Sequence, residues 1–141
     1  MTPSTLKSSI KAMQKELEIK IPYLNHGGCI WFAYYFEKAL KRLNIPYKIY
    51  AYHHSEIGKT YSDFHGVGHI VTYVNGIGLV DGYAIWSNLS FCDGYTNKEF
   101  QYRNKLRLKN LYRLATGPGW NHTYDTEYNS KLETIINTYI K

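Results

Sequence analysis

Two cysteines and six histidines are the side chains of this 141-residue chain best suited to nucleophilic chemistry, and one of each stands out by its surroundings. Cys29 follows Gly27-Gly28 and opens the most apolar segment of the chain. A thiol attacks a carbonyl as its thiolate, and a helix N-terminus favours that anion through unpaired N–H groups and the positive end of the helix dipole. The two glycines remove side-chain bulk, so a substrate carbonyl could approach and backbone N–H groups could face a developing oxyanion. His69 is the candidate base, at the head of a β-type run, and Asp81 lies near the end of the next run. A carboxylate beside an imidazole fixes its tautomer and stabilises the imidazolium. A free cysteine is more commonly a small buried hydrophobe, and Asp81-Gly82 is also ordinary turn chemistry. The combination of helix start, preceding glycines and downstream histidine is what a Cys-His pair requires.

These groups need elements to hold them. Leu6, Ile10, Met13 and Leu17 form one apolar stripe, which predicts a packing helix from Ser4 to Glu18. Cys29, Phe32, Ala33, Phe36, Leu40 and Leu43 follow the 3.6-residue period with charges opposite, which predicts a second helix over Cys29 to Leu43. Ile30, Trp31, Tyr34 and Tyr35 make its first two turns apolar nearly all round, so this end should be buried. Asn44-Ile45-Pro46 stops it, and Tyr47 to His53 reads as a strand. After a polar loop come His69 to Val74 and Ile77 to Asp81, joined by the hairpin signal Asn75-Gly76, with Ala84 to Trp86 as an extension of the sheet. Lys98 to Arg113 alternates basic with apolar residues and reads as a strand with one wet face; Leu132, Ile135, Ile136, Tyr139 and Ile140 mark a closing helix. The fold class expected is α+β in a single domain, with a buried helix on an antiparallel sheet and helices flanking it at both ends.

Register decides whether His69 and Asp81 can touch. A two-residue Asn75-Gly76 turn would set Ile70 opposite Asp81 and send His69 to the other face. A three-residue Val74-Asn75-Gly76 loop with Gly76 left-handed would set His69 directly opposite Asp81, and the chemistry demands that second register.

Residues 25 to 86 resemble the transglutaminase-like branch of the papain-like cysteine superfamily. The match runs through Gly27-Gly28-Cys29-Ile30-Trp31-Phe32-Ala33, then Leu40 and Ile45-Pro46, then His69 and Leu79-Val80-Asp81. The resemblance implies a papain-like core, no cofactor, and acyl transfer on amide bonds of a protein or peptide substrate through a thioester. In it Cys29 is nucleophile, His69 base and acid, and Asp81 the orienting group. Peptidase or amidase activity is preferred over deamidation or crosslinking. Tyr23, Asn25, His26 and Gly28 are candidates for oxyanion stabilisation or substrate positioning, although Asn25 could equally cap the helix. Val71 stands where family members often carry an aromatic residue.

Other classes are weaker. His53, His54, Asp63, His65 and His69 offer zinc-type ligands, yet Gly66 and Gly68 break the helix that a His65-x3-His69 pair would need. Lys98 to Arg113 with Tyr102 and Tyr112 could contact phosphates and stack on bases, without any recognition motif beside it. A papain-like protein that kept the fold without the chemistry is the third alternative. The net charge of +6 favours acidic partners, while 15 Tyr with abundant Ile, Lys and Asn point to AT-rich coding in a virus, a phage or a bacterium. Two cysteines without metal-type spacing fit a reducing, cytoplasmic setting. No signal peptide or membrane-length apolar run is expected.

Overall fold

The computed structural model describes residues 2–22, 24, 29–53, 67–87 and 126–141. Helix α1, Pro3–Lys20, begins where Thr2 caps it by accepting from the Thr5 N–H at 3.2 Å, with Pro3 at the first position. It buries Leu6, Ile10, Met13, Gln14 and Leu17, which is the apolar stripe with one amide added to it. Helix α2, Cys29–Arg42, buries Cys29 through Ala33, then Tyr35, Phe36, Ala39 and Leu40. Phe32 and Phe36, one turn apart, stack with centroids 5.2 Å apart. Asn44 ends α2 in the left-handed region at φ 56°, and the Ile45 N–H returns to the Leu40 carbonyl at 3.0 Å. That closure satisfies a terminal carbonyl and points the chain into the sheet.

Four antiparallel strands follow in the order β1-β2-β3-β4: β1 Tyr47–His53, β2 Val67–Val74, β3 Gly78–Val80 and β4 Ile85–Trp86. Helix α3, Thr126–Tyr139, closes the described chain and packs on α1 and α2, while α2 packs on β2. The core joins Ile10, Met13 and Leu17 of α1, Phe32, Phe36 and Leu40 of α2, Ile70 and Val74 of β2, and Leu132 and Ile136 of α3. The architecture is therefore α+β, with a buried helix opening at Cys29 against an antiparallel sheet and helices at both ends. No helix among the described residues is long and apolar enough to cross a membrane.

The β2–β3 register differs from both sequence-based expectations. Thr72 pairs with Val80, Tyr73 with Leu79 and Val74 with Gly78, so the loop is Asn75-Gly76-Ile77. Gly76 is left-handed at φ 79°, as expected, but it serves as the third residue of a turn that the Ile77 N–H closes on the Val74 carbonyl at 3.0 Å. Such a turn needs positive φ at that position, which glycine supplies. The register is two residues away from the directly opposed one, and a shift of two preserves the face of every side chain. His69 and Asp81 thus keep a common side, as diagonal neighbours. Two boundaries also move: His69 is the third residue of β2 rather than its first, and Asp81 is the first residue past β3.

Candidate active site

Asp81 begins the connection from β3 to β4, and its carboxylate organises that connection. Oδ1 accepts from the backbone N–H groups of Tyr83 at 2.8 Å and Ala84 at 2.9 Å. Oδ2 accepts from the Trp86 indole Nε1 at 2.9 Å, and the same oxygen lies 2.9 Å from His69 Nε2. The Asp81 carbonyl accepts from Gln14 Nε2 of α1 at 2.9 Å, and the Asp81 N–H donates to the Ala84 carbonyl at 3.2 Å. Turn residue and histidine partner are therefore one role here: the bonds that fold the turn also fix the carboxylate. Asp81 is fully buried, and four donors on its two oxygens replace the water it has lost.

Burial penalises the Asp81 anion, but the hydrogen bond to His69, the Ala84 N–H, the His69 charge and the Tyr83 N–H outweigh that penalty and hold the carboxyl below its ordinary value. His69 is 7% exposed. Burial works against its cation, yet the hydrogen bond to Asp81, the neighbouring Cys29 side chain and the Asp81 charge push it up to about 10. The ring is accordingly a cation at neutral pH. Cys29, also 7% exposed, is the first residue of α2, where the positive end of the helix dipole lies. The Cys29 side chain is one of the groups that raise the pKa of that ring.

The structure thus brings together Cys29, His69 and Asp81, from the head of α2, the interior of β2 and the end of β3. Gln14 and Trp86 join them and were not expected in this role from the sequence. Gln14 carried a signal, since an amide four residues after Ile10 interrupts the apolar stripe of α1. Trp86 carried none beyond its place in a short strand.

Tyr23, Asn25, His26, Gly27 and Gly28 lie outside the described residues, as do Cys92 and the Lys98 to Arg113 segment. Of the zinc-type set, His54, Asp63 and His65 lie outside them too, His53 is described only as backbone in β1, and His69 is engaged by Asp81 and Cys29. No group of three or more metal-ligating side chains occurs among the described residues.

A buried sulfur, a buried cationic ring and a buried carboxylate in series can move a proton between sulfur and nitrogen without changing the charge of the carboxylate. Comparison of the chain with models of known families, with curated proteins and with solved structures gives no match.

Proposed function

We propose that this chain is a cysteine-dependent acyl-transfer enzyme acting on amide bonds of protein or peptide substrates, with a papain-like core of the transglutaminase-like branch. One observation carries the reading: the Asp81 carboxylate lies 2.9 Å from His69 Nε2, and Cys29 at the head of α2 is among the groups that act on the same ring. The order along the chain supports the branch, with the sulfur at the head of a buried helix, the imidazole on the second strand and the carboxylate after the third.

In the proposed cycle His69 starts as the imidazolium, holding the proton that Cys29 has given up, and Cys29 Sγ attacks the substrate carbonyl carbon. A C–S bond forms as the carbonyl π pair moves onto oxygen. Collapse of that tetrahedral species breaks the C–N bond, and His69 gives its proton to the departing amine. Water or a second amine then attacks the thioester carbonyl, loses its proton to the imidazole and expels the sulfur as thiolate, which restores the starting pair. Asp81 stays ionised throughout and balances the imidazolium charge. Hydrolysis to a peptidase or amidase product follows when water is the acceptor.

Mass spectrometry of acid-quenched mixtures with candidate peptide and protein amides tests the proposal. An acyl increment on Cys29 is expected, absent in Cys29→Ala. Amide turnover that persists in Cys29→Ala, or no adduct and no turnover across the substrates, contradicts it.

A further inference from the structure

We propose that Trp86 is a positioning residue of this site, acting through the Asp81 oxygen that it shares with His69. The proposal rests on the Cys29, His69 and Asp81 reading above and adds a residue to it.

The indole N–H and the imidazole meet the same atom, Asp81 Oδ2, each at 2.9 Å. The other oxygen is taken by the Tyr83 and Ala84 N–H groups. An ionised carboxylate offers about four acceptor directions, and here each has a donor. The sheet brings Trp86 to that place: β4 returns antiparallel to β3, pairing Val80 with Ile85 and Leu79 with Trp86, so Trp86 is a diagonal neighbour of Asp81 on one face, and its indole reaches Oδ2. Tyr83, 60% exposed, lies nearly parallel to the indole at 6.4 Å and 18°.

A tryptophan satisfied for structural reasons alone could use any backbone carbonyl as its acceptor. This one donates to a buried anion that faces an imidazole. Its effect follows from charge. The ionisable groups that raise His69 include Cys29 from α2 and Asp81 from the β3–β4 connection, and α1 contributes the neutral amide of Gln14 at the Asp81 carbonyl. With the indole present, the negative charge on Oδ2 is divided between two donors. Without it, the two backbone bonds to Oδ1 still orient the carboxylate, and Oδ2 turns its full charge on the ring. The imidazolium then holds its proton more tightly and releases it more slowly to a departing amine.

Two replacements of Trp86 in the full chain test this: Trp86→Phe, and benzothienylalanine, which keeps the bicyclic shape with sulfur in place of N–H. The readouts are an NMR titration of His69, assigned by the resonance lost in His69→Gln, and the steady-state constants on an amide substrate. Without the N–H, the His69 midpoint should rise by on the order of half a pH unit, and kcat should fall on the order of tenfold with KM little changed. A midpoint that is unchanged or lowered in the benzothienylalanine protein, whatever the loss of melting temperature, overturns the proposal. The shape-preserving replacement decides the matter if Trp86→Phe fails to fold. The titration needs no turnover, so an inert Cys29 would defeat the proposed function while leaving the role of Trp86 to be read independently.

Discussion

Asp81 meets His69 diagonally across two strands: Thr72 pairs with Val80, which brings Asp81 level with Val71, and yet Oδ2 lies 2.9 Å from Nε2. Diagonal neighbours on one face sit about 7–8 Å apart at the backbone. That spacing leaves room for a carboxylate and an imidazole to meet end to end. The helix that starts at Cys29 and the hairpin that carries His69 and Asp81 therefore converge on one ring.

Asp81→Asn should lower the His69 titration midpoint from about 10 toward its ordinary value, because the anion that stabilises the ring is gone. The alkylation rate of Cys29 near neutral pH should fall with it, and amide turnover by about 10²–10⁴. Asp81→Ala strands the Tyr83, Ala84 and Trp86 donors as well as a buried cation, and should cost about 3–5 kcal/mol of stability. Urea unfolding of the two variants separates the chemical effect from the structural one.

Stability should depend on pH through the same pair. His69 is raised in the folded chain from 6.5 to about 10, so its contribution is complete below about 6.5 and is lost as pH rises toward 10. Asp81 is lowered, so its contribution is present above the ordinary carboxyl range and is lost as pH falls through the folded value. Urea midpoints should hold a plateau in mildly acidic solution and decline toward pH 10. Cys29→Ala, by removing one of the groups that raise His69, should bring the alkaline decline to lower pH.

Gln14→Leu removes the donor to the buried Asp81 carbonyl. An unsatisfied buried carbonyl costs about 1–3 kcal/mol, which denaturant unfolding would register. Cys29 alkylation should slow modestly, since the carboxylate keeps its own four donors. A large loss of reactivity with no loss of stability would contradict this assignment.

Gly78 is a fold position on which the site depends. Its φ is 134°, and an added Cβ would lie 3.2 Å from the Trp86 carbonyl oxygen and 3.3 Å from Ile85 Cγ2. Gly78→Ala should destabilise by about 1–3 kcal/mol through backbone strain and displace β4. Denaturant titration checks the first effect, and Trp86 fluorescence the second.

Much of this framework was legible in the residues because its signals are local. The stripe of α1, the apolar first turns of α2, the stop at Asn44-Ile45-Pro46 and the β-type run at Tyr47 each reflect a periodicity or a backbone restriction within a few residues. Cys29, His69 and Asp81 were named from such signals, and the structure brings their side chains together. The hairpin register was not legible, because Asn75-Gly76 fits loops of two or three residues and the energetic difference between them lies in packing across the sheet. Gln14 and Trp86 escaped for a related reason. Both act through contacts between residues far apart in sequence or across a turn whose closure depends on Asp81 itself.

The central claim, a Cys29 thiol activated by His69, is tested most directly by competitive iodoacetamide labelling at pH 6 to 7 with peptide mapping of both cysteines. Cys29 should label on the order of tenfold or more faster than Cys92, and His69→Gln should abolish that advantage. Slow labelling at both positions, with no change in His69→Gln, would contradict the account.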